Sequence, residues 1–185
     1  MAVTPSSMLP LGTIAPDFNL PDVISGKNMT LKDVRGEEGT VVMFICAHCK
    51  YVKHIEEEIA FVAEKYQHKG IGFVAISAND ITEYPDDAPD KLREQAEDQD
   101  FDFPYLYDES QQVAKAYQAE CTPDFYLFDK DLKLVYRGRF DAATPGNIEP
   151  VTGDELKDAM DSLLDGEPIF EDQKPSIGCN IKWRG

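Results

Sequence analysis

The segment that most constrains this chain is Val41-Val42-Met43-Phe44-Ile45, followed at once by Cys46-Ala47-His48-Cys49. An unbroken apolar run of this kind suits a strand buried on both faces of a parallel sheet. Beyond the cysteines, Val52, Ile55, Ile59, Val62 and Ala63 recur at helical spacing, with Glu56 to Glu58 partly on the opposite face, and Gly70 ends the pattern. A buried strand thus runs into a helix, with two cysteines at the junction. The first turn of a helix offers unpaired N–H groups and the positive end of the macrodipole, and both favour a thiolate.

A C-x-x-C pair has several chemical readings. Haem attachment needs His directly after the second Cys, where this chain has Lys50. A structural zinc site needs four ligands, whereas Cys121 and Cys179 stand alone. The strand-to-helix position favours a redox dithiol, with no metal and no cofactor. On this reading Cys46 is the exposed thiol of lowered pKa and attacks a substrate disulfide, and Cys49, one turn on, resolves the mixed disulfide. His48 would support the Cys46 thiolate and stabilise the reduced form. No acid precedes the pair in its strand, and His54 and Glu57 are the nearest candidates for the proton acceptor of Cys49.

The rest of the chain sets the frame. Its 185 residues suffice for one domain with a full core, spanning 1–185 with the core at about 12–165. Short strands near Asp17–Leu20 and Met29–Leu31 belong to a loop-rich N-terminal extension. Ile71–Ser77 reads as a second buried strand, 79–87 as a polar loop, and Pro89 starts an acidic helix to about Gln99. Phe103–Tyr107 is a short strand, and Ser110 caps a helix through Tyr117. Asp124–Phe128 and Leu132–Phe140 form a hairpin, and Asp154–Leu164 is the last helix. This order predicts a three-layer α/β domain with a mixed central sheet flanked by helices.

The tail, 166–185, carries Ile169, Phe170, Ile177, Ile181 and Trp183, so it is expected to pack rather than hang free. Packing would bring Cys179 within reach of Cys121 or Cys46, as an internal relay or regulatory disulfide, with Gly178 permitting the approach. Cys121 and Cys179 are therefore candidate accessory thiols.

A net charge of −17 argues against nucleic acid and against an anionic membrane surface as partners. Met1–Pro10 lacks a basic leader pattern, and no apolar stretch approaches a membrane span, so a cytoplasmic location is expected.

Three blocks resemble the thioredoxin superfamily, and within it the redoxin (AhpC/TSA-like) branch. They are Gly12-Thr13-Ile14-Ala15-Pro16-Asp17-Phe18-Asn19-Leu20, the run Val41–Ile45 with Cys46, and Cys121-Thr122-Pro123-Asp124-Phe125-Tyr126-Leu127-Phe128-Asp129. The resemblance implies a thioredoxin-like fold and thiol–disulfide exchange with protein or small-molecule disulfides, served by a thiol reductant or oxidant partner. It implies that Pro123 is cis and faces the cysteine pair, aiming the Thr122 backbone at a bound peptide in strand-like pairing. The chain departs from thioredoxin at Ile45 and at the Ala47-His48 spacer. It lacks the peroxiredoxin signature: Val42 and Cys46 stand where that signature has Pro and Thr. A thiol-dependent peroxidase with antioxidant activity and a redox-sensing or metal-binding module are the alternatives.

Overall fold

The computed structural model describes residues 3–185. Strand β4 (Gly39–Phe44) is the axis of the fold, after β1 (Val3–Pro5), β2 (Asn19–Pro21), β3 (Asn28–Thr30) and α1 (Leu31–Val34). It pairs in parallel with β5 (Ile71–Ser77), and β5 in parallel with β6 (Tyr105–Tyr107). On its other edge β4 pairs antiparallel with β8 (Asp124–Asp129), which pairs antiparallel with β9 (Leu134–Gly138). The central sheet is therefore mixed, in the order β6-β5-β4-β8-β9.

The apolar run is buried because both sheet faces are covered. Val41 and Met43 belong to a core with Val52, Ile55 and Ile59 of α2 (Lys50–Gln67) and with Leu156 and Met160 of α5 (Asp154–Leu164). Val42 and Phe44 belong to a second core with Leu20, Leu31 and Tyr117. Alternate residues thus serve opposite faces. The fully buried aromatics Phe44, Tyr117 and Tyr126 meet at tilted or edge-to-face angles.

Two local expectations need correction. The polar loop before α3 (Pro89–Asp98) contains a 3₁₀ turn at Pro85–Asp87. The short helix α4 (Gln112–Ala116) is not capped by Ser110: its cap position is Gln111, and the Ala114 amide donates to Asp108 Oδ2 at 2.8 Å.

The tail packs, though less by apolar burial than its composition suggests. Ile181 and Cys179 are buried, while Phe170, Ile177 and Trp183 remain more than a third exposed. Hydrogen bonding does more of the holding. Residues Ile177–Asn180 form β10, which lies between β1 and the two-residue strand β7 (Cys121–Thr122) in a separate antiparallel sheet. The register places Cys179 opposite both Val3 and Thr122. Further along, Lys182 donates its amide to Asn79 Oδ1 and accepts from the Asp80 amide.

Candidate active site

Strand β4 delivers the cysteine pair to the C-terminal end of the parallel strands, the end where open α/β sheets place their ligands. The chain leaves the sheet at Ile45, and α2 begins at Lys50 with Cys49 as its N-cap. Both cysteines are buried, at 1% exposure for Cys46 and 0% for Cys49. The expectation of an exposed Cys46 is overturned by two covering elements, the cis-proline loop and β10. The Thr122–Pro123 bond is cis. Thr122 Oγ1 lies 3.6 Å from Cys46 Sγ, and the Cys49 thiol reaches Thr122 O at 3.5 Å. Thr122 and Pro123 thus lie against the pair, while His48, between the two cysteines, turns to Asp87.

Cys179 completes the cluster. Its Sγ is 2.8 Å from that of Cys49. The thiol it meets is Cys49, not Cys121 or Cys46. Strand alternation explains this: Cys179 lies opposite Thr122, while Cys121 is one residue back and faces Asp124 and Ser6. Burial and the Asp124 carboxylate push the Cys121 thiol well above the usual range, so it is a packed thiol outside the cluster.

The charge distribution reverses the sequence expectation. Cys49 is brought down to about 4 by a hydrogen bond from the Cys46 thiol, with burial opposing and Cys179 and Thr122 contributing. Cys46 is held well above the usual thiol range, first by that same bond, then by burial and the Asp87 carboxylate. The two sulfurs are thus shifted in opposite directions, Cys46 up and Cys49 down. Cys49 also holds the cap position of α2.

Asp87 is the functional residue that the sequence did not reveal. It is fully buried, and its Oδ1 accepts from the amides of Ala47 at 2.8 Å and His48 at 3.0 Å. Its Oδ2 bonds His48 Nδ1 and accepts from Asn79 Nδ2. Burial alone would raise this carboxyl, but His48 and Asn79 more than offset it and hold it below its ordinary range. The same bond raises His48, against the effect of burial. His48 therefore braces the loop through Asp87 instead of bonding Cys46, and its ring stacks on Tyr84. The available signal was topological: β4 and β5 are parallel neighbours, so the loop after β5 must pass the loop after β4.

His54 and Glu57 are exposed on α2, and no hydrogen bond ties either to the cysteines. Gln95 of α3 instead donates to Cys46 O at 3.1 Å and to Glu56 at 2.9 Å, fixing the first cysteine's backbone. Among the described residues, Cys46, His48 and Asp87 are the one cluster whose ligand atoms lie close enough for a metal ion. Both Asp87 oxygens are already engaged by four protein donors, which an ion would have to displace.

The strand-like docking expected at Thr122 also changes. That edge is taken by β10, and a Cβ on Gly178 would stand 2.0 Å from Thr122 O. A peptide cannot pair there while the tail is seated.

Comparison with known proteins agrees with this architecture. A crystal structure of an uncharacterized conserved protein from Geobacillus kaustophilus is 53% identical with a TM-score of 0.98, covering 100% of this chain and 97% of that one. A hypothetical protein from Sinorhizobium meliloti is 43% identical with a TM-score of 0.96, covering 98% and 99%. The thiol-disulfide oxidoreductase ResA of Bacillus thuringiensis is 26% identical over 164 residues, 87% of this chain and 80% of ResA. The AhpC/TSA family matches residues 11–137, more than half the chain. With its thioredoxin-like fold and its buried Cys46–Cys49 pair, this chain belongs to the AhpC/TSA family and is of the thiol–disulfide oxidoreductase kind.

Proposed function

We propose that the protein exchanges disulfides through Cys46 and Cys49, with Cys46 joining the substrate and Cys49 resolving. The observation that carries this is geometric: the Cys46–Cys49 pair lies against the cis Thr122–Pro123 loop, with Cys49 at the cap of α2. Cys49 is enclosed between Cys46 and Cys179, whereas Cys46 adjoins the partly exposed Ala47–His48 rim. Substrate therefore approaches from the Cys46 side, and Cys49 is the base that takes the Cys46 proton as attack begins. Cys49 passes that proton to the departing substrate thiolate, and its own thiolate then attacks Cys46 Sγ, forming the Cys46–Cys49 disulfide as the second substrate thiolate leaves.

A stabilised thiolate favours the reduced pair, which makes the couple more oxidising than one with an unperturbed thiol. The substrates are protein or small-molecule disulfides, with a thiol reductant or oxidant partner and no nucleic acid. The expected cytosolic location is part of the proposal. Turnover of insulin disulfides by the wild type, lost in Cys46→Ser, tests the reading. Wild-type rates in that variant would place the active pair elsewhere.

A second reading, antioxidant peroxide reduction, draws on the family match and on the Thr122 hydroxyl beside Cys46. Peroxide consumption coupled to thioredoxin distinguishes it.

A further inference from the structure

Two-cysteine exchange leaves Cys179 without a task, yet the fold fixes this thiol in place. Strand β10 is paired on both edges, with Cys179 opposite Val3 and Thr122. Gly178 lets that backbone press against Thr122 O, where any side chain would collide. On the far side, the Lys182 amide is tied to Asn79, which also donates to Asp87. The position of the Cys179 thiol therefore follows from backbone pairing and not from a loose tail, and it ends 2.8 Å from Cys49 Sγ.

We propose that Cys179 is a third redox-active cysteine, and that the oxidised centre isomerises between a Cys46–Cys49 and a Cys49–Cys179 disulfide. The step is an internal thiol–disulfide exchange. The Cys179 sulfur, as thiolate, attacks Cys49 Sγ. The Cys49–Cys179 bond forms while the Cys46–Cys49 bond breaks, its electron pair leaving on Cys46. The proton lost by Cys179 is taken up by Cys46. One disulfide and one thiol stand on each side, so no further oxidant is consumed; the oxidising equivalents are those the pair has already taken from its disulfide substrate. This inference rests on the Cys46–Cys49 reading above and extends it. It gives the oxidised protein a free Cys46 next to the rim, and it covalently fastens β10 over Thr122. In the reduced state Cys179 is pushed up to about 12 by burial and by its bond to Cys49.

Oxidation with diamide, acid quenching, alkylation and unreduced peptide mapping test the proposal. The wild type should yield both Cys46–Cys49 and Cys49–Cys179 peptides. Cys46→Ser should convert to Cys49–Cys179 alone, and Cys49→Ser should give no Cys46–Cys179 peptide. Wild type that yields only Cys46–Cys49, with Cys179 fully alkylated, overturns the inference and leaves the two-cysteine reading intact. Wild type with all four thiols alkylated overturns both. The wild-type map needs no variant, so a misfolded mutant cannot mask the answer.

Discussion

The two flanks of the cysteine pair are built from opposite chemistry. On one side a buried carboxylate, Asp87, gathers the amides of Ala47 and His48 and sets a negative charge near Cys46. On the other, Thr122 sets its hydroxyl beside Cys46 and its carbonyl against the Cys49 thiol, and a third thiol, Cys179, lies 2.8 Å from Cys49 at the helix cap. Cysteines three residues apart are thereby shifted in opposite directions. The spacing of a C-x-x-C motif supplies the pair, but surroundings from distant parts of the chain decide which sulfur holds the charge.

The largest effect expected is on turnover. Cys46→Ser should reduce disulfide exchange to the uncatalysed level, and Cys49→Ser should leave the protein arrested in mixed disulfides.

On the Thr122 flank, Gly178→Ala is the sharpest disruption. Its Cβ meets a backbone oxygen that cannot swing aside. Forcing a methyl into such a contact costs about 1–3 kcal/mol, so β10 should lift from β7. A lower melting temperature with faster alkylation of Cys49 is expected. Unchanged alkylation would mean that β10 does not shield the pair.

On the Asp87 flank, Asp87→Asn keeps the shape and removes the charge. A buried donor left without its acceptor costs about 1–3 kcal/mol. His48 should fall toward its ordinary pKa and Cys46 should become easier to ionise, measured by NMR titration and by thiolate absorbance. No change in His48 would show that Asp87 does not control the loop.

The smallest effect is on stability against pH. His48 is raised in the folded state, so its contribution is complete below its ordinary 6.5 and is lost as pH rises through the higher folded value. Asp87 is lowered, so its contribution is complete above its ordinary 3.8 and is lost as pH falls through the lower folded value. The pair should hold a plateau between these limits, absent from the Asp87→Asn melting profile.

The two flanks differ equally in how much the sequence reveals. The axis of the fold was legible because β4 is apolar on both faces and α2 has a strong helical stripe, both local periodicities. Pro123 and Thr122 were legible through a motif. Asp87 was not, because a single acid in a polar loop carries no period, and its meaning comes from the parallel β4–β5 pairing. The tail was expected to pack, and it does, but its partner could not be read from composition. Backbone register, which places Cys179 opposite Thr122, decided for Cys49 over Cys121. The place of helix onset was not legible either: α2 starts at Lys50, so Cys49 and not Cys46 holds the cap.

The division of labour between the two cysteines is tested most directly by trapping Cys49→Ser with a model disulfide and mapping the adduct. The account predicts a mixed disulfide on Cys46, stable until an external thiol is added. An adduct on Cys179 or Cys121, with Cys46 still free, would contradict it.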